Sequence, residues 1–278
     1  MNVPEAPPTT ARGASGRVRR FWPLAGAALA IAAVCAVAAL RPWIDAPGAV
    51  VASDQDAAPA MIAPAALALP EQARVLVFGD SWTYGSAASL PTLGYAYVLG
   101  QRLGWETTVD GVRGSGYLKP GLDGGSYGER IAALDPALDP DLVIVEGSIN
   151  DRRLPAAGYR DAVTAAWDAL AGLYPDADFV ILGPAPQVLP VQETTARIDA
   201  DLADLSAARG WWYISPIAEE WIGPDNYAQV IDTGIGRDHP STNGHAYLAT
   251  RVAEALAMMS ESTVVVADAP RDPGPSGP

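Results

Sequence analysis

Ser81 stands at the end of a short apolar run, Val75-Leu76-Val77-Phe78-Gly79-Asp80-Ser81-Trp82. A buried strand that breaks into a tight turn holds one hydroxyl fixed at a sheet edge, where a nucleophilic serine has to be. A serine hydroxyl also needs a base. The chain has two histidines, His239 and His245. His239 lies in Gly236-Arg237-Asp238-His239-Pro240-Ser241, just ahead of a helical pattern, where its ring can face the serine. His245 falls inside that pattern and reads as structural. Acyl transfer further needs donors for an oxyanion. The glycine-rich stretch Asp110-Gly111-Val112-Arg113-Gly114-Ser115-Gly116-Tyr117 offers backbone N–H groups, and Asn150 in Glu146-Gly147-Ser148-Ile149-Asn150-Asp151 offers an amide. Each segment alone has a plainer reading: a turn or helix cap at Ser81, a surface or dinucleotide-type loop at the glycines, an Asx-turn at Asn150.

The surrounding pattern says what could bring these groups together. Apolar runs at 74–78, 106–109, 142–145, 179–182 and 211–214 read as strands. Helical spacing covers 92–103, 126–134, 159–173, 194–208 and 241–258, with Ser126 and Ser241 as caps. Apolar strands alternating with helices predict a parallel sheet covered on both faces. The expected fold class is α/β: a three-layer α/β/α sandwich with a five-stranded parallel sheet, flavodoxin-like, over residues 71–260. Sites in such sheets form beyond the carboxyl ends of strands. Ser81, the glycine stretch, Asn150 and His239 all fall at those ends or in loops after them.

At this point the chain resembles the SGNH (GDSL-type) hydrolases. Gly79-Asp80-Ser81 matches the first block of that family, and the glycine loop its second, through Gly114 or, alternatively, Gly116. Gly147-Ser148-Ile149-Asn150-Asp151 resembles the third block, Gly-x-Asn-Asp, with one extra residue. His239-Pro240 followed by Gly244-His245 resembles the last. The resemblance covers about 75–255. It implies a catalytic Ser81, His239 as base, and an oxyanion hole from the Ser81 and Gly114 N–H groups and the Asn150 amide. It implies hydrolysis of an ester, such as a short acyl or O-acetyl group on a glycan or small molecule, without metal or organic cofactor. Acyl transfer to a cell-envelope glycan, and a non-catalytic carbohydrate-binding module of the same fold, are the alternatives. One departure stands out. The family places an aspartate three residues before the histidine, and this chain has Gly236 there. Adjacent Asp238 is the favoured third catalytic residue; Asp232, or a Ser–His dyad oriented by a backbone carbonyl, are the other choices.

Composition narrows the partners. The net charge is −14, from 18 basic and 32 acidic residues, so nucleic acid is not an expected partner. The only cysteine is Cys35, which excludes an internal disulfide and a thiolate metal site, and two histidines exclude a His-rich metal centre. Residues 21–40 carry no charge. About 20 apolar residues span roughly 30 Å, a bilayer core. Arg17, Arg19 and Arg20 precede this segment, and Trp22 and Trp43 flank it. The layout expected is a cytoplasmic basic tail (1–20), a single transmembrane anchor in the lipid bilayer (21–43), an Ala/Pro-rich linker (44–70), an extracytoplasmic hydrolase domain (71–260) and a disordered tail (261–278). A cleaved signal peptide and a buried core helix are the alternatives for 21–43. The sequence sets no oligomeric state.

Overall fold

The structure is a computed structural model that describes residues 63–261. The expected anchor at 21–43, the basic tail, most of the linker and the C-terminal tail past 261 lie outside the described residues. No helix among the described residues is long and apolar enough to cross a membrane.

Five strands form one sheet: β1 (Arg74–Gly79), β2 (Glu106–Gly111), β3 (Leu142–Glu146), β4 (Asp178–Leu182) and β5 (Trp212–Ile214). Their order is β2-β1-β3-β4-β5, and every pairing is parallel. This is the five-stranded, flavodoxin-like sheet expected from the alternation of elements. Period-two geometry sends successive side chains of a strand to opposite faces. Val75, Val77, Leu142 and Ile144 accordingly enter one core, and Leu76, Phe78, Val143 and Val145 the other.

Helices cover both faces. On the first lie α2 (Tyr95–Leu103) and α7 (Thr242–Glu261), through residues such as Leu99, Leu248 and Val252. On the second lie α3 (Tyr127–Ile131), α4 (Tyr159–Leu173) and α5 (Glu193–Arg209). Val163, Ala166, Trp167 and Leu170 form the stripe that α4 buries, and each large apolar side chain there contributes about 2 kcal/mol. The expected helix at 92–103 is broken: a 3-10 turn at Pro91–Leu93 ends at Gly94, and α2 begins after it. The helix at 126–134 shortens to α3, opened by the expected cap. Ser126 and Glu129 form a reciprocal capping box.

Two small elements escape the periodicity. A four-residue helix, α1 (Ser81–Tyr84), starts directly after β1. Another, α6 (Tyr227–Val230), leads into a two-stranded ladder of β6 (Ile231–Asp232) and β7 (His239–Pro240). Two-residue strands are too short for alternation to register, yet β7 carries His239.

Candidate active site

β1 delivers Ser81 to the point where the strand order reverses, with β2 on one side and β3 on the other. Loops leaving β1 and β3 diverge there and open a crevice. Asp80 caps α1, accepting the Trp82 N–H at 2.9 Å. Ser81 is the first residue of α1, so its N–H has no intrahelical acceptor.

The β6–β7 ladder pairs Asp232 with His239 and carries the ring across to Ser81. His239 Nε2 lies 2.8 Å from Ser81 Oγ. On its other side, Nδ1 lies 2.8 Å from the Gly236 carbonyl and 3.1 Å from the Arg237 carbonyl. Carbonyls only accept, so Nδ1 carries the hydrogen and Nε2 presents its lone pair to the serine hydroxyl. The partners of the ring thus select the tautomer that a general base requires.

Among the described residues no carboxylate hydrogen-bonds to the His239 ring, and Asp80 Oδ1 lies 3.5 Å from Ser81 Oγ. Asp238, favoured from the sequence, has a left-handed backbone (φ 62°), and its N–H donates to the Asp232 carbonyl. Neighbouring side chains diverge, and the ring reaches backbone oxygen instead of the Asp238 carboxylate. Asp232 is turned to the Gly234 N–H at 2.8 Å. Position 236, where the family resemblance would place the acid, has no room for one. A Cβ on Gly236 would stand 2.6 Å from Asp232 Cβ and 2.7 Å from Ala87 Cβ.

The two candidate glycines differ in their surroundings. Gly116 donates its N–H to the Lys119 carbonyl, and a Cβ there would stand 2.6 Å from Asp151 Oδ1. Gly114 lines the same cleft as Ser81 and His239, and its N–H has no protein acceptor among the described residues. Asn150 also lines this cleft. Its amide is already engaged, donating to Asp80 Oδ2 at 2.8 Å and to the Ser115 carbonyl at 3.0 Å. It ties the serine turn to the glycine loop.

Three buried charged residues that sequence reasoning passed over build this scaffold. Asp151 accepts the N–H groups of Tyr117 (2.7 Å), Leu118 (3.3 Å) and Lys119 (3.0 Å) and the Ser148 hydroxyl (2.6 Å). Burial pushes its carboxyl up, and these four donors oppose that shift. Arg130 joins the ends of β1 and β2, donating to the Gly79 carbonyl and to Asp110, while its guanidinium lies over the Phe78 ring. Glu146 accepts the Asp80 N–H (3.1 Å) and the Thr83 hydroxyl (3.0 Å) beneath the nucleophile turn. Burial and the neighbouring Asp80 push the Glu146 carboxyl well up, and burial raises the Asp80 carboxyl too, opposed by the Trp82 N–H and by His239. An acid immediately before the serine and a charge at the end of β3 were the visible signals.

His245 is structural, as expected. It is fully buried, accepts the Tyr95 N–H at Nδ1 (3.2 Å) and meets the Ser86 carbonyl at Nε2 (3.0 Å). Of the aromatics near the site, Trp82, Tyr95, Tyr117 and Trp221 belong to the core, and Tyr84 lines the cleft.

A serine within hydrogen-bond reach of an imidazole at the carboxyl edge of a parallel sheet is an arrangement suited to a serine hydrolase. The chain belongs to the GDSL-like lipase/acylhydrolase family, whose sequence model matches residues 77–247, and it is an ester-bond hydrolase. It is 27% identical to a GDSL lipase of Mycobacterium tuberculosis over 195 residues, covering 66% of this chain and 81% of that one. Solved structures share the fold. The aryl esterase of M. smegmatis superposes with a TM-score of 0.52 at 17% identity, covering 66% of this chain and 98% of the other. A two-domain esterase active on acetylated mannans superposes with a TM-score of 0.53 at 20% identity, covering 72% and 53%.

Proposed function

We propose that Ser81 and His239 act as a dyad that hydrolyses short-acyl esters, with two backbone carbonyls in the place of a catalytic aspartate. The observation that carries this reading is the 2.8 Å contact between Ser81 Oγ and His239 Nε2, with Nδ1 held by Gly236 and Arg237. Ser81 Oγ attacks the acyl carbon as its proton passes to Nε2. The Ser81 and Gly114 N–H groups receive the oxyanion, each worth about 3 kcal/mol in the transition state. Collapse expels the alcohol, which takes the proton from His239, and water then releases the acid from Ser81 by the same path. Asn150 joins the oxyanion only if the incoming substrate draws it from Asp80 or Ser115.

The cleft has a volume of about 870 Å³, and small or polar groups such as Ser86, Ala87, Ala88 and Gln187 line it. That lining suits a short acyl group on a polar alcohol, an O-acetyl glycan included, better than a long alkyl chain. The uncharged segment within 21–43, with arginines before it, supports an anchor that holds the domain outside the cytoplasm.

Ser81→Ala tests the dyad. The variant should lose at least about a thousandfold in hydrolysis of p-nitrophenyl acetate and all labelling by a fluorophosphonate. Retention of a tenth of the activity would reject Ser81 as nucleophile.

A further inference from the structure

The chain has a single lysine, Lys119, and it lines the Ser81 cleft. Its ammonium lies 3.6 Å from the place a Cβ would take on Gly114, the proposed oxyanion donor. Four arginines line the same cleft: Arg113, Arg152, Arg153 and Arg237. The acids in the lining are Asp232 and Asp238. A chain of net charge −14 therefore surrounds its nucleophile with an excess of positive charge.

Pairing separates these cations from the rest of the molecule. Away from the cleft, Arg74, Arg130, Arg160, Arg197, Arg209 and Arg251 each meet a carboxylate. Arg102, which donates to the Thr250 hydroxyl, is the exception among the described residues. Inside the cleft the proportion reverses. Arg113 pairs with Asp123. Lys119, Arg152, Arg153 and Arg237 meet no carboxylate among the described residues.

Arg152 shows most directly that this is not spare surface charge. Its guanidinium is partly buried and held by neutral acceptors alone: the Ile149 carbonyl (2.9 Å), Gln187 Oε1 (2.7 Å) and Gln192 Oε1 (3.3 Å). Three of its five N–H groups are thereby used, and the planar fork is fixed in direction with two left over. Arg153 follows it with no counter-charge. Two adjacent guanidiniums, one of them desolvated, repel each other, and the fields of Asp80 and Asp238 offset this only in part.

We infer that the Ser81 cleft selects esters whose acyl or alcohol part carries an oxyanion, carboxylate or phosphate, held by Lys119, Arg152, Arg153 and Arg237. Guanidinium forks match both oxyanions in geometry. The inference rests on the esterase reading above and adds the substrate class to it. The same field raises the local concentration of an anionic substrate around an otherwise acidic protein.

The full-length protein is assayed on three acetates: 4-acetoxybenzoate, its methyl ester, and 4-acetoxyphenyl phosphate. Each rate is divided by that ester's own uncatalysed hydrolysis. At least one charged acetate should exceed the methyl ester about tenfold in kcat/KM at low ionic strength, and the advantage should shrink towards parity near ~0.5 M salt. The carboxylate and phosphate arms show which oxyanion the cleft prefers. In Lys119→Gln/Arg153→Gln the charged-to-neutral ratio should fall about fivefold or more, whereas Arg102→Gln, outside the cleft, should keep it. Should the double variant not fold, the wild-type ratio and its salt dependence decide alone. Hydrolysis of the methyl ester with no preference for either charged acetate overturns the anionic subsite and leaves the esterase standing. No turnover of any of the three removes the hydrolytic site itself, and the inference with it.

Discussion

Asp151 and Tyr117, 34 residues apart, are joined by a 2.7 Å hydrogen bond from the Tyr117 N–H to Asp151 Oδ2. Through it the loop after β3 holds the loop after β2. The Leu118 and Lys119 N–H groups converge on the other carboxylate oxygen, so one side chain fixes the turn that presents Gly114. The position of Gly114, the proposed oxyanion donor, is therefore set by a residue that does not line the cleft.

Asp151→Asn measures that coupling. The amide keeps one acceptor oxygen but turns an NH2 group towards N–H donors. A buried charge-assisted bond is worth about 1.5–3 kcal/mol, so the variant should lose about 3 kcal/mol in urea unfolding. Melting should drop by about 6–12 °C for a chain of this size. Activity should fall through kcat more than KM, about tenfold, because the displaced donor acts in the transition state. A melting curve and kinetics like those of the parent would show that the glycine loop holds itself.

Asp238→Asn separates the dyad from a triad. His239 Nδ1 donates to the Gly236 and Arg237 carbonyls, so the Asp238 carboxylate is not needed to orient the ring. Asparagine also tolerates the left-handed backbone at this position. The expected kcat/KM on p-nitrophenyl acetate is within about threefold of the parent, whereas loss of an orienting acid costs orders of magnitude. A hundredfold fall would return Asp238 to the catalytic set.

The candidate site residues at strand ends were legible because strand periodicity and residue type coincide there. Ser81 follows an apolar run, and His239 was the histidine left once His245 fell inside a helix. The parallel sheet, too, follows from the β/α alternation. The supports were not legible. Asp151, Arg130 and Glu146 look like ordinary charges in sequence, and their partners come from loops after different strands. The cationic lining is scattered over positions 113, 119, 152, 153 and 237, so no charge run marks it. The partners of the His239 ring were not legible for a local reason. Sequence adjacency suggested Asp238, while the crowding at Gly236 and the turn before β7 bring carbonyl oxygens to the ring.

The buried His245 makes stability depend on pH in a fixed direction. Tyr95 N–H points at Nδ1, so Nε2 carries the hydrogen and donates to the Ser86 carbonyl. Protonating Nδ1 would set donor against donor. Burial depresses this imidazole to about 4, the Ser86 carbonyl pulls it back in part, and His239 lowers it further. An unfolded histidine titrates near 6.5. Between about 6.5 and 4 the unfolded chain takes up a proton that the folded chain refuses. The contribution of His245 is therefore whole above pH 6.5 and is lost as pH falls towards 4, by up to about 3 kcal/mol. In His245→Gln the side chain bonds without titrating. That variant should start lower at pH 7, but its melting temperature should fall less on acidification, by about 6–12 °C less at pH 4. Other groups titrate in the same range, so the quantity to measure is the difference between the two melting curves at each pH. Parallel curves from pH 7 to 4 would mean that His245 accepts its proton inside the folded protein.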